Sequence, residues 1–188
     1  MVDLEHLAEQ GAIDLFYGDE ANVSERATVP YAWQFPDEKY TAFMPTTQGA
    51  SLSCFALIRR DNRAHIATTE GRITAAFVYE QLDLLAGSIT KPTAVVLDNA
   101  TPHKAKIIEQ ARDGWSERGL TIFYLPPYSP HLNIAEHLWK QLKYFWLQPE
   151  MYASKQLLFY NVRLALVAVG SLLAIEFSKF GVQVNGSI

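Results

Sequence analysis

The sequence predicts an α/β fold, a mixed five-stranded sheet with helices on both faces. Three observations predict it. Five short runs rich in β-branched and apolar residues, at 12–18, 51–60, 63–69, 93–97 and 120–124, are separated by turn residues or by stretches of helical spacing. The early strands form an antiparallel group, with Asp61-Asn62 as the tight turn of a hairpin, and αβ units follow from residue 73 onward. The run Thr93-Ala-Val-Val-Leu97 is short, apolar and β-branched, as central parallel strands are. Helices covering both faces of a mixed sheet satisfy that order. Composition and periodicity alone do not select it among α/β sheets.

Taken in order, residues 3–10 predict a short helix, and 12–18 predict a first strand leading into Asp19. Residues 21–50 carry Pro30, Pro36, Pro45 and Gly49 and read as a loop, with one short strand near 39–43. Ile73, Phe77, Leu82 and Leu85 share a face, so 73–86 predicts a helix. Residues 102–118 predict another, closed by Gly119. The proline-rich stretch 125–132 resists regular structure. Asn133 then suits the N-cap of a helix reaching Trp146, and 153–180 predicts a long helix or a pair kinked at Gly170.

The 188 residues, 49% hydrophobic and 19% charged, suit one domain over 1–188 with a full core. The net charge of -4 counts against a nucleic-acid partner. Bound cations would offset a carboxylate cluster, and Lys140 and Lys143 concentrate positive charge locally. The single Cys54 sits in an apolar run, excludes an internal disulfide and fits a reducing cytoplasm. The N-terminus is acidic, unlike a signal peptide. The longest apolar stretch, 164–175, is interrupted by Gly170 and Ser171 and falls short of the roughly 20 residues that a membrane span needs.

Three carboxylates stand out: Asp19 and Asp98 at the ends of apolar runs, and Glu136 in the first turn of the helix after Asn133. If the first and fourth strands are neighbours, Asp19 and Asp98 converge, and Glu136 leans over the same edge. Such a set holds hard divalent cations through oxygen, and a cation pair drives in-line displacement at phosphorus without a side-chain nucleophile. Singly, each acid has a plainer reading: a solvated turn for Asp19, a cap near Thr101 for Asp98, a first-turn acid favoured by the helix dipole for Glu136.

Three words of the sequence change the balance. They are Leu125-Pro-Pro-Tyr-Ser-Pro-His-Leu-Asn-Ile-Ala-Glu-His-Leu-Trp139, Val95-Val-Leu-Asp-Asn-Ala-Thr-Pro-His103, and Phe16-Tyr-Gly-Asp-Glu20 with Trp33 downstream. Over roughly 12–150 the chain resembles the catalytic domain of DDE transposases, in the bacterial insertion-sequence branch of the mariner-like superfamily. The interval between Asp98 and Glu136 resembles that branch too. The resemblance implies an RNase-H-like fold and two Mg²⁺ or Mn²⁺ ions on Asp19, Asp98 and Glu136. It also implies strand cleavage at transposon ends, strand transfer into target DNA, a homodimer in the active complex, and a place in the cytoplasm at the bacterial nucleoid. His131 stands where an acidic residue is common, and Ile134 where proline is common; neither touches the acid triad. The helix-turn-helix modules that precede such domains are absent before Asp19. The alternatives are a structure-specific nuclease of the same fold and an inactive relic that binds DNA or a partner.

Further residues qualify that site. Asn99 is a candidate to orient Asp98 from behind, and His103 to order the metal site or contact a phosphate, against plainer roles as a turn asparagine and a helix-start histidine. Lys140 and Lys143, four and seven positions after Glu136 on its helical face, are candidates for DNA phosphates, as is Tyr128 for a base. His137 reads as a helix-surface or packing residue, and Trp139 and Trp146 as core.

Overall fold

The computed structural model describes residues 1–26, 49–127 and 129–177. Its centre is a five-stranded sheet in the order β3-β2-β1-β4-β5. The strands are β1 (Asp14–Ser24), β2 (Ser51–Ile58), β3 (Ala64–Thr69), β4 (Thr93–Leu97) and β5 (Leu120–Tyr124). The first three pair antiparallel, and β1, β4 and β5 run parallel. The α-helices among the described residues are α1 (Val2–Glu9), α2 (Ala75–Ser88), α3 (Lys106–Glu117), α4 (Ala135–Gln141) and α5 (Lys155–Ala168).

Alternation along the strands divides the core in two. Leu15, Tyr17, Ala21 and Val23 of β1 join α4 and α5 residues such as Leu138, Phe159 and Val162 on one face. Phe16 of β1 joins Val78 and Leu82 of α2 and Ile108 and Trp115 of α3 on the other. All five residues of β4 are buried, as its composition predicts for a strand between parallel neighbours. Thr74 caps α2 through Oγ1, which accepts from Phe77 N at 3.2 Å, and Ser154 does the same for α5. Gly119, with φ of 94°, turns the chain from α3 into β5.

The element bounds differ from the sequence reading at four informative places. β1 does not end before Asp19 but continues to Ser24, so Asp19 lies inside the strand. Its polar second half is held by the ladder to the buried strand β2, from Tyr17↔Ile58 to Ser24↔Ser51. The helix expected over 102–118 is divided: a 3₁₀ turn at Thr101–Lys104 contains Pro102, Ala105 is extended, and α3 follows. The helix expected to reach Trp146 becomes π-helical at Leu142–Trp146. The last helix stops at Ala168. Gly170 then takes a φ of 78°, and no second helix follows among the described residues. Instead, Asn62 at the hairpin tip brackets Ile175: its Nδ2 donates to Ile175 O at 3.0 Å, and its Oδ1 accepts from Ile175 N at 2.7 Å. The strand expected near 39–43, and Trp33, lie outside the described residues.

Under the sheet, α1 is anchored by a buried acid. Glu5 accepts from Arg60 Nε at 2.9 Å and Nη2 at 2.8 Å, and from the Tyr17 hydroxyl. No described helix is long and apolar enough to cross a membrane.

Candidate metal centre

The parallel ladder between β1 and β4 runs from Asp14↔Thr93 to Tyr17↔Val96. The ladder stops there, and Asp19 and Asp98 each lie two residues beyond its last pair. Glu136 is in the first turn of α4, whose buried residues pack on the face of β1 that bears Tyr17 and Asp19. The three acids form one electrostatic neighbourhood. Burial pushes the Asp19 carboxyl up to about 7, and the nearby carboxylates of Glu20, Glu136 and Asp98 push the same way. Among the described residues, no three His, Cys, Asp or Glu side chains stand close enough to hold an ion as placed. The donor set suits a hard cation all the same. A positive charge beside Asp19 would favour its ionised form against burial and the nearby carboxylates.

Asn133 fixes how α4 sits over Asp19. It is 3% exposed, and its Nδ2 donates to Gly18 O at 2.9 Å. Its Oδ1 accepts from Ala135 N at 3.1 Å. The N-cap position itself falls to Ile134, one residue later than the sequence suggests. Asn133 therefore still serves the helix start while its amide bonds the backbone beside Asp19. A side chain at Gly18 would displace its neighbours. A methyl group on it would run into Leu97 Cδ2 and come within 2.9 Å of Leu57 Cδ2.

Asp98 is held from the other side. Its Oδ1 accepts from Ala100 N at 2.9 Å and faces His103 Nδ1 at 2.6 Å. His103 is fully buried, with Phe55 against its ring at 6.1 Å between centroids. Its Nε2 faces Glu20 Oε2 at 3.1 Å. Burial pulls the imidazolium down, but the carboxylates of Asp98 and Glu20 outweigh it and hold it up at about 9. The hydrogen bond from His103 in turn holds the Asp98 carboxyl below its ordinary range. The Tyr124 hydroxyl donates to His103 O at 2.8 Å, tying the same turn to β5.

The other sequence candidates divide. Asn99 does not bond Asp98; its Nδ2 donates to Leu125 O at 2.7 Å and joins the ends of β4 and β5. Lys140 and Lys143 line a groove of about 520 Å³ with Glu136, His131, His137 and Tyr144. His137 also packs its ring near Phe177, with centroids 6.2 Å apart. Trp139 is buried and Trp146 partly buried in the core, as expected. Tyr128 lies outside the described residues. Sequence reasoning missed Glu20 and the Asn133–Gly18 bond. Period two was the available signal for Glu20, since it puts Glu20 on the face opposite Asp19.

A model of the family described as DDE superfamily endonuclease matches residues 14–158. Comparison with curated proteins gives no match. Among solved structures, the fold is similar to a chain of the simian T-cell lymphotropic virus intasome, with TM-score 0.58, 11% identity, and coverage of 86% of this chain and 50% of that one. The Mos1 transposase paired-end complex with left transposon end gives TM-score 0.55 and 15% identity, covering 89% and 56%. The HTLV-2 integrase catalytic core domain in complex with magnesium gives 0.53 and 8%, covering 85% and 88%. The fold is that of these transposase and integrase cores, an RNase-H-like mixed sheet. The chain spans about half the length of the intasome and Mos1 chains.

Proposed function

The chain belongs to the DDE superfamily endonucleases. On that premise we propose that it is the catalytic domain of a transposase, cutting DNA strands at transposon ends and joining them to target DNA. The observation that supports this reading is the parallel pairing of β1 with β4, whose last pair Tyr17↔Val96 lies two residues before Asp19 and Asp98, with Glu136 near enough to Asp19 to raise its pKa. Asp19, Asp98 and Glu136 would hold two Mg²⁺ or Mn²⁺ ions. When bound, such ions supply an activated water or 3′-hydroxyl and charge relief for the leaving oxygen.

The protein's own residues do the positioning. Asn133 sets α4, and so Glu136, against the strand that carries Asp19. His103 keeps Asp98 ionised and oriented. Lys140 and Lys143, along the groove that starts at Glu136, hold the phosphates that flank the scissile bond. These contacts are electrostatic and independent of sequence, so choice of DNA ends lies elsewhere. The active complex is a homodimer on DNA.

The test uses supercoiled plasmid and a duplex with a free 3′-hydroxyl, with Mg²⁺ or Mn²⁺. Nicking of the first and joining of the second are expected, and both are lost in Glu136→Gln. Nicking without joining would assign a nuclease of the same fold. A well-folded parent with neither activity would leave only a DNA- or partner-binding role.

A further inference from the structure

The π-helical turn after α4 sorts its side chains between core and groove. Leu147 N donates to Leu142 O, five residues back, at 3.1 Å. In an unbroken α-helix Leu147 would project on nearly the line of exposed Glu136, roughly 20° round. The extra residue taken up by the turn sends Leu147 into the core instead, where it is buried. Tyr144 of the same turn stays outside. It is 49% exposed and lines the groove of about 520 Å³ with Glu136, Lys140 and Lys143.

The groove's polar and aromatic groups are free for an outside partner. Among the described residues the lysines in salt bridges are Lys91 and Lys155, so Lys140 and Lys143 have no acidic partner there. The Tyr144 ring meets no other ring among the described residues. Phe145, next in sequence, is equally open to solvent but lies outside the groove's lining. Cations that track a phosphate backbone, beside an aromatic face on which a base stacks, are the parts of a single-strand binding site. A base inside a duplex has both faces covered by its neighbours. Only an unpaired base can use the ring.

We propose that Tyr144 is a stacking platform for an unpaired DNA base, held beside a phosphate bound at Lys140 and Lys143. The proposal rests on the reading of this groove as the path of DNA to Glu136. It names the substrate more closely, as a strand opened next to the scissile bond. Every base has a stacking face, so Tyr144 adds no choice of sequence.

The test is fluorescence anisotropy without metal, with a labelled short oligothymidylate and a blunt duplex as probes. Tyr144→Ala is expected to weaken binding of the oligothymidylate by roughly 5- to 100-fold, the range for losing one base–aromatic stack. Its affinity for the duplex should not change. Tyr144→Phe keeps the ring and should bind like the parent, as should Phe145→Ala. Lys140→Ala should weaken both probes and flatten the salt dependence. Equal affinity of the parent and Tyr144→Ala for the single strand overturns the proposal. So does an equal loss on both probes, or a loss in Tyr144→Phe as large as in Tyr144→Ala. A parent that binds oligothymidylate through Tyr144 yet neither nicks nor joins DNA supports the platform and overturns the catalytic reading. A parent that nicks, with Tyr144→Ala binding single strands as well as it does, overturns the platform alone.

Discussion

The amide of Asn133 donates to the carbonyl oxygen of Gly18 across 2.9 Å, joining the start of α4 to the backbone one residue before Asp19. Asn133 is buried, so truncation leaves Gly18 O and Ala135 N without their partner. Asn133→Ala should cost about 1–3 kcal/mol of stability in urea denaturation. It should also lower cleavage further than any residual unfolding explains, because Glu136 loses its fixed approach to Asp19. Full cleavage in a stably folded Asn133→Ala protein would show that the bond does not position α4.

A side chain at Gly18 should be costly. Its missing Cβ is what lets Leu97 and Leu57 close over β1. Gly18→Ala should cost about 1–3 kcal/mol, the range for overpacking a dense core. Pairing it with Leu97→Ala should recover part of the loss by giving the methyl room, which a double-mutant cycle measures.

The two strand aspartates should respond oppositely to amide replacement. Asp19 is raised to about 7 by burial and by carboxylate neighbours, so ionising it strains the metal-free fold. Its pKa lies above the unfolded value of 3.8, so its contribution to stability declines as pH rises from about 4 to about 7. Asp19→Asn should therefore melt higher than the parent, by a margin that widens over that range and then levels. Asp98 is a partner of buried His103, so Asp98→Asn should melt lower. Both should lose cleavage. Calorimetry at pH 6 in buffers of different ionisation enthalpy should detect proton release as Mn²⁺ binds.

His103 gives a second pH signature. Its pKa is raised from 6.5 to about 9, so its stabilising contribution is complete below about 6.5 and is lost as pH climbs through 9. The melting temperature of the metal-free protein should fall between pH 7 and 9.5. In His103→Gln that slope should flatten. An equally steep slope in the variant would place the titration on another group.

At the far end of the molecule, Asn62 adopts a φ of 66° and brackets Ile175 with two hydrogen bonds. Asn62→Gly keeps the turn conformation and removes the bracket. The segment 170–177 should become a site of limited proteolysis, with about 1–2 kcal/mol lost from stability. Cleavage of DNA should be untouched.

Much of this architecture is written in local pattern. β4 is legible because five consecutive buried positions require an apolar run, and the hairpin is legible because Asp61-Asn62 interrupts two of them. Asp19 and Asp98 are each legible as the acid that follows an apolar run, and the strands that carry those runs do pair in parallel. The second half of β1 was missed because Gly18-Asp-Glu-Ala-Asn-Val-Ser24 has little strand propensity of its own; the ladder to β2 holds it. The end of α5 was missed because apolar periodicity continues past Gly170, while a tertiary bracket from Asn62 captures the chain. The π-helical turn and the amide of Asn133 depend on contacts distant in sequence, and neither leaves a local mark.

The pleat of β1 assigns its two adjacent acids to different tasks by nothing more than odd and even position. Deleting or inserting one residue upstream within the strand would exchange them, turning Glu20 toward α4 and Asp19 toward the buried imidazole. Length variation among descendants of this chain should accordingly collect in the connections and spare the stretch from Asp14 to Glu20, where even a conservative indel reverses the sheet's two sides.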